Sequence, residues 1–299
     1  MSAVDIGTPL TAVPAPAGGA GRRGQLSRRF SLLLIAPLVL LLGWTFFLPI
    51  ARLLLTSFAE PSLGLSNYAR LWSEPLYLQV FVRTLWIAAA CTLFTLVIGY
   101  PVALLMARHG GRFALIATMC VLIPLWTSVL VRSYAWVIVL ERNGLINGWL
   151  MAGGLITQPL KLLYTNGAVL VAMTHVLLPF MVLPLYGVMK GINPTTMRAA
   201  LSLGARPHVA FRRVYLPQTM PGISAGCLLV FILALGYYIT PALVGGADDQ
   251  MVSYFIAFYT NETLNWGMAA ALAVILLTVT LVLYVCYNRL SGSAGPRRG

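Results

Sequence analysis

Apolar residues fill long blocks of this chain, and polar residues are pushed into the short gaps between them. Six blocks stand out, at 30–58, 80–107, 113–140, 167–189, 217–243 and 266–287. Each exceeds the roughly 20 residues a helix needs to cross the hydrocarbon of a bilayer. Pro, Gly or a polar residue interrupts every block, which membrane helices tolerate where neighbours satisfy the freed backbone groups. The period is helical, and no ten-residue alternation suggests a membrane barrel. The pattern predicts an all-α, polytopic membrane protein. Six transmembrane helices occupy 30–290, between a disordered basic tail at 1–29 and a short C-terminal tail at 291–299.

Composition supports this. Hydrophobic residues make up 59% of the 299 and charged residues 9%, against about 25% charged in a soluble domain. Residues 1–29 are rich in Ala, Pro and Gly and end in RRGQLSRR. The following block is too long for a signal-peptide core and shows no small-residue cleavage site, so a retained first helix is expected. The four cysteines, Cys91, Cys120, Cys227 and Cys286, fall inside the blocks without a C-x-x-C pair. They read as small packing residues, with no metal or redox site.

Charge orients the chain. Lys and Arg near span ends stay on the cytoplasmic side. With the N-terminus inside, the inner segments hold Arg22, Arg23, Arg28, Arg29, Arg108, Arg112, Lys190, Arg198, Arg206, Arg212, Arg213, Arg289, Arg297 and Arg298, fourteen of the twenty cations. The outer loops hold Arg70, Arg142 and Lys161, while Arg52, Arg83 and Arg132 fall within spans. Glu60, Glu74, Glu141, Asp248, Asp249 and Glu262 all land outside, and Asp5 inside. Both termini are therefore expected in the cytoplasm of a bacterial cell, with the chain multi-pass in the inner membrane. The net charge of +13 is a topology signal and an attraction to anionic lipid; it does not call for nucleic acid.

This orientation places one polar, basic segment, 193–216, in the cytoplasm between helices four and five. Asn193 suits a helix cap and Pro194 the first turn. Met197, Ala200, Leu201 and Gly204 share one stripe, and Gly204 is a natural stop. Pro207 opens a second short helix with Ala210, Phe211 and Val214 on its apolar side, and Leu216-Pro217 ends it. The apolar face, with Phe211 at its edge, suits a partner's groove. Its competitors are an amphipathic loop on the lipid surface and a DNA-reading helix-turn-helix, the latter disfavoured because both ends are tied to spans.

The stretch RAALSLGARPHVAFRRVYLPQTMPGI resembles the coupling-helix signature of ABC importer permeases. Ala199, Ala200, Gly204, Ala205, Phe211, Leu216, Pro217, Pro221 and Gly222 match it, and Arg198 stands where the pattern has Glu. The segments at 122–147, 178–192 and 233–253 resemble the spermidine/putrescine branch of these permeases. The resemblance implies a type I permease fold and a transport subunit that works with a second, related permease chain. An ATPase dimer docks on the hairpin, and a periplasmic or extracellular binding protein delivers the solute. ATP and magnesium belong to the ATPase, since this chain has no G-x-x-x-x-G-K-[ST] loop and no cofactor of its own is implied.

Ionisable residues inside spans are functional by default. Arg132 and His175 stand at similar depth, Arg132 among Trp126, Tyr134 and Trp136. Arg132 either ties helix ends together, through carbonyls or Glu141, or takes part in the path or gate. His175 is either bonded across helices or part of that path. Arg52 and Arg83 are expected to snorkel. Tyr237 and Tyr238 precede Thr240-Pro241, where the fifth helix is expected to break. Asp248 and Asp249 are expected in a flexible outer turn facing the binding protein, and 251–262 along the interface. No Asp or Glu lies deep in a span, so aromatic faces, a partner's carboxylates or the outer acids would hold a cationic solute.

The leading reading is an importer subunit for polyamines. The alternatives are the same machine carrying an anion or a carboxylate-bearing amine such as an amino acid or opine, and a secondary carrier working alone. No Ser-His-Asp, metal or paired-carboxylate constellation supports an enzyme.

Overall fold

The computed structural model describes residues 28–60 and 63–292, with side chains over 35–60 and 63–289. The elements are helices throughout, with no strand among the described residues. In chain order they are α1 (Arg28–Ala59), α2 (Ser66–Ser73), α3 (Pro75–His109), α4 (Gly111–Trp126), α5 (Val129–Leu140), α6 (Leu145–Ala152) and α7 (Asn166–Lys190). There follow α8 (Pro194–Ser202), α9 (Pro207–Ala210), α10 (Leu216–Leu235), α11 (Ile239–Val244), α12 (Val252–Asn261) and α13 (Trp266–Gly292). The tails expected at 1–29 and 291–299 lie mostly outside the described residues. Arg28 and Arg29 already belong to α1, and 291–292 to α13.

By its internal contacts the chain divides into Met1–Ala51 and Arg52–Gly299. The first unit holds residues 28–51 of α1, an apolar stretch in which Thr45 returns its hydroxyl to the Leu41 carbonyl at 2.8 Å, satisfying the polar group without a neighbouring helix.

In the second unit the core is built where α3, α7 and α10 meet. Ile87, Cys91, Met106, Val169, Met173, Met181, Val182, Leu185 and Val230 are all sealed there. Small residues set the spacing. A Cβ on Gly226 would lie 2.8 Å from Met181 Sδ, one on Gly222 3.3 Å from the Pro184 carbonyl, and one on Gly99 3.1 Å from Met181 Cγ. Gly222 and Gly226 form a small-xxx-small pair, the device that lets membrane helices approach closely.

Five helices are long and apolar enough to cross a membrane, or six if one bent pair counts as a single span. That pair is the third block, expected as a span over 113–140: α4 and the following helices are bent by 99° after Trp126. Pro124 offers no N–H to the preceding turn. The Thr127 backbone is extended, and its N–H and hydroxyl both return to the Pro124 carbonyl, at 3.3 and 2.8 Å. Ser128 then starts α5 afresh.

Two expectations change. The fifth span breaks earlier than Thr240-Pro241: α10 ends at Leu235, Gly236–Tyr238 are unwound, and Pro241 sits in the first turn of α11, where a missing N–H is harmless. Residues 251–262 do not merely lie along an interface. Met251 and Val252 are fully buried, and the Val252 N–H donates to Thr84 Oγ1 of α3 at 3.0 Å. The Tyr77 and Tyr259 hydroxyls, 2.6 Å apart, tie α12 to α3 again. Of the cysteines, Cys91 is buried, whereas Cys120 and Cys286 are exposed and do not pack within the chain.

Candidate functional site

Two groups of residues occupy opposite ends of α10. At its start is the hairpin. Asn193 Oδ1 accepts from the Thr195 N–H at 2.9 Å and its hydroxyl at 2.8 Å, capping α8 as its sequence predicts. The far end of α8 closes with two bonds, Gly204 N–H to the Leu201 carbonyl at 3.0 Å and Ala205 N–H to the Ala200 carbonyl at 3.1 Å. This is the Schellman arrangement, which needs a left-handed residue at the turn, and Gly204 has φ +85°. Ala200, Gly204 and Ala205 are thus one closed turn. Arg198 and Ala199 are exposed on α8.

The second limb differs from expectation. Leu216-Pro217 does not end a helix. Phe211–Tyr215 form one wide π turn that carries α9 into α10 without a break, the Leu216 N–H reaching back to the Phe211 carbonyl. The wide turn absorbs the N–H that Pro217 lacks, and Gln218 Nε2 covers the Val214 carbonyl at 2.7 Å. Phe211 also turns inward, its ring edge-on to Tyr100 of α3 at 6.4 Å and stacked on Tyr215 at 5.6 Å. The apolar side chains left outward are Leu201 and Leu203, the latter 88% exposed. Leu203 was missed in the sequence; the signal was a large apolar residue directly before the stop glycine, where packing cannot use it.

At the other end of α10, the unwound Gly236–Tyr238 meets α5, α7, α11 and α12. The Tyr237 carbonyl, freed by the break, accepts from Ser253 Oγ of α12 at 2.6 Å. Ser133 Oγ and Thr240 Oγ1, 2.8 Å apart and buried, join α5 to α11. One turn on from Arg132, Trp136 donates its Nε1–H to His175 Nδ1 across to α7 at 3.3 Å, with the rings edge-on at 5.7 Å. These two rings border an apolar cleft of about 390 Å³ with Phe94, Ile98, Leu170 and Leu178. The Tyr238 ring lies 6.4 Å from Tyr254, which stacks over Phe258 at 6.5 Å, an aromatic row of which the sequence pointed to Tyr238 alone.

Arg132 makes neither tie expected of it. It is buried, its Nε and Nη1 have no hydrogen-bond partner, and it forms no ion pair with Glu141 among the described residues. It lies one turn along α5 from Trp136, whose bond to His175 brings α7 alongside, while Tyr237 stands in the break and is held by Ser253 of α12.

Asp249 is corrected outright. It is 4% exposed, and its Oδ2 accepts the Gly246 N–H at 3.0 Å; it holds the turn rather than facing outward. Asp248 is the exposed acid. Gly245 and Gly246 let this turn pass close to its neighbours, a Cβ on Gly245 falling 2.6 Å from the Pro241 carbonyl and 2.9 Å from Val169. Gly245→Ala is expected to cost about 1–3 kcal/mol by overpacking, seen as a lower melting temperature of the purified protein in detergent.

A membrane-length helix with a capped hairpin at one end and an unwound, aromatic-rich break at the other, within five or six membrane-length helices, defines the class: a polytopic all-helical membrane protein. The fold is that of an importer subunit. A chain in the crystal structure of a bacterial ABC transporter involved in the import of the acidic polysaccharide alginate matches at a TM-score of 0.74 and 18% identity, covering 90% of this chain and 97% of that one. The chain belongs to the family described as binding-protein-dependent transport system inner membrane component, whose model matches residues 99–294. It is 35% identical over 235 residues to the spermidine/putrescine transport system permease protein PotB of Salmonella typhimurium, covering 79% of this chain and 82% of that protein. The PotB of Escherichia coli matches at the same identity, with 85% of it covered.

Proposed function

We propose that this chain is the permease subunit of an ATP-driven importer that brings polyamines, spermidine and putrescine, across the inner membrane. The observation that carries this reading is the 35% identity extending over 82% of a spermidine/putrescine permease. Both termini and the 193–216 hairpin face the cytoplasm, and the break at Gly236–Tyr238 lies toward the outside. A related second permease completes the pore. A cytoplasmic ATPase dimer, which binds the ATP and magnesium, seats on the hairpin through Leu201, Leu203 and the α8 face bearing Arg198, Ala199 and Ala200. Closure of the ATPase pair moves the hairpin, and α10 carries that motion to the break. A binding protein delivers solute at the outer turn carrying Asp248. The row of Tyr238, Tyr254 and Phe258 offers π faces to an ammonium group, which suits a path without deep acids in this chain.

Uptake of radiolabelled spermidine by cells expressing the full transporter tests the substrate. Unlabelled putrescine and spermidine are expected to compete, and amino acids are not. Competition by amino acids in place of polyamines would move the assignment to a carboxylate-bearing amine; uptake persisting without any ATPase subunit would make the chain a secondary carrier.

A further inference from the structure

The row of Tyr238, Tyr254 and Phe258 has a carboxylate beyond its last ring. Tyr254, Phe258 and Glu262 follow at i, i+4 and i+8 of α12, a spacing that makes helix side chains neighbours. Glu262 keeps helical backbone angles, and its N–H donates to the Phe258 carbonyl at 2.9 Å, so the stripe runs on to it. Glu262 is exposed and has no ion pair among the described residues. The row is open as well, Tyr238 being 41% and Phe258 38% exposed. The rest of α12 holds it that way. Tyr259 is bound to Tyr77, the Val252 N–H to Thr84, and Ser253 to the Tyr237 carbonyl, so α12 is not free to roll its rings inward.

Three features favour positive charge on this stripe. The C-terminus of a helix is the negative end of its dipole. Glu262 adds a full charge there, and each ring presents an electron-rich face. An acyl chain or an apolar helix laid on the row would leave the carboxylate against oil, which is costly; a chain of ammonium groups joined by methylenes answers both the charge and the rings.

Spacing narrows the cation further. Ring centroids stand 6.4 Å apart from Tyr238 to Tyr254 and 6.5 Å from Tyr254 to Phe258, the second pair 14° from parallel. One i, i+4 step along a helix rises about 6 Å. A staggered four-carbon diamine holds its nitrogens roughly 6 Å apart on ordinary bond lengths, and each methylene added or removed changes that by about 1.3 Å.

We infer that Glu262, Phe258, Tyr254 and Tyr238 form a linear binding row for a polyamine whose ammonium groups are four carbons apart. The terminal ammonium pairs with the Glu262 carboxylate, and the next lies over the aromatic faces. The inference rests on the polyamine reading above and gives it a site. The row leads from the end of α12 to the unwound Gly236–Tyr238, so a charge passes from carboxylate to ring to ring without a deep acid in this chain.

The complete transporter in nanodiscs, without its binding protein, tests this. Diamines of three to six carbons are titrated in by calorimetry, and the four-carbon one is expected to bind most tightly. Glu262→Gln and Phe258→Leu are each expected to weaken it tenfold or more, whereas Phe258→Trp, which keeps a ring, retains most of the binding. Phe258→Cys is expected to react with a water-soluble cationic thiol reagent faster than with a neutral one, read on that peptide by mass spectrometry, and adding Glu262→Gln removes the preference. The inference is overturned if Phe258→Cys resists the aqueous reagent, which puts the row in lipid. It is equally overturned if all four diamines bind alike, or if Glu262→Gln binds as the parent does. A parent that binds the four-carbon diamine on this row yet imports no polyamine sinks the import reading alone. Normal polyamine binding and uptake in both Glu262→Gln and Phe258→Leu sinks the row alone.

Discussion

Gly204→Glu is expected to abolish solute uptake, by tenfold or more, while the ATPase subunits go on hydrolysing ATP. Gly204 sits at φ +85° in the turn that closes α8, and a Cβ there would meet nothing within 4 Å. The substitution therefore has room, and its direct cost to the fold is the left-handed backbone strain of a non-glycine residue, about 1–2 kcal/mol. What changes is the outward face, where a carboxylate arrives next to the exposed Leu203 on the surface proposed to seat the ATPase. Gly204→Ala carries the same strain without charge or bulk, so it separates the two effects and is expected to keep most of the uptake. Paired measurements of ATP hydrolysis and transport in reconstituted vesicles decide the matter. Normal transport by Gly204→Glu, with normal assembly, would remove the docking proposal.

The second large effect is expected inside the membrane. Gly226→Leu forces a branched side chain against Met181, whose Sδ lies 2.8 Å and whose carbonyl lies 3.3 Å from the position of the first added carbon. The carbonyl belongs to helix backbone, so α10 and α7 must separate. The cost is about 3 kcal/mol, and the expected result is little folded permease in the membrane fraction. Gly226→Ala is the gentler version and loses less, because the Met181 thioether is flexible. Met181 also touches Gly99 of α3, its Cγ lying 3.1 Å from the added carbon there. Shortening it in Gly226→Ala/Met181→Ala is therefore expected to recover part of the lost melting temperature. If the double variant is as unstable as the sum of the two single changes, the close approach is not what the glycine provides.

The long helices were legible because each apolar block exceeds a bilayer's thickness, and the hairpin because Asn193, Pro194 and Gly204 are punctuation with fixed geometric meaning. Arg132 was singled out from the sequence as an ionisable residue within an apolar block, and the structure buries it. The misreadings share a cause: a local signal was given its commonest meaning while the neighbours decided otherwise. Pro217 looked like a stop, but a single wide turn before it removed the conflict. Pro241 looked like the break, but a first-turn proline loses no hydrogen bond, and Gly236 yielded instead. Thr127 and Ser128 gave no warning of a 99° bend, since hydroxyls within a membrane helix commonly fold back on their own carbonyls. Asp249 looked like a solvated acid in a glycine-rich loop, and its inward turn depends on the Gly246 N–H three residues away. Tyr254 and Phe258 were in plain view, but their row exists only once α12 is anchored to Thr84.

Because α9, the wide turn and α10 run on without interruption, residues 207–235 form one shaft of 29 residues, roughly 43 Å long at 1.5 Å per residue. Such a shaft carries motion along its length except where its hydrogen-bond ladder is interrupted. Any tilt imposed at Pro207 meets two interruptions of the hydrogen-bond ladder on its way to Gly236: the widened turn braced by the Tyr100 and Tyr215 rings and Pro221 inside α10. On the coupling proposed above, the stiffness of that aromatic brace is what sets how faithfully a stroke at the hairpin reaches the break.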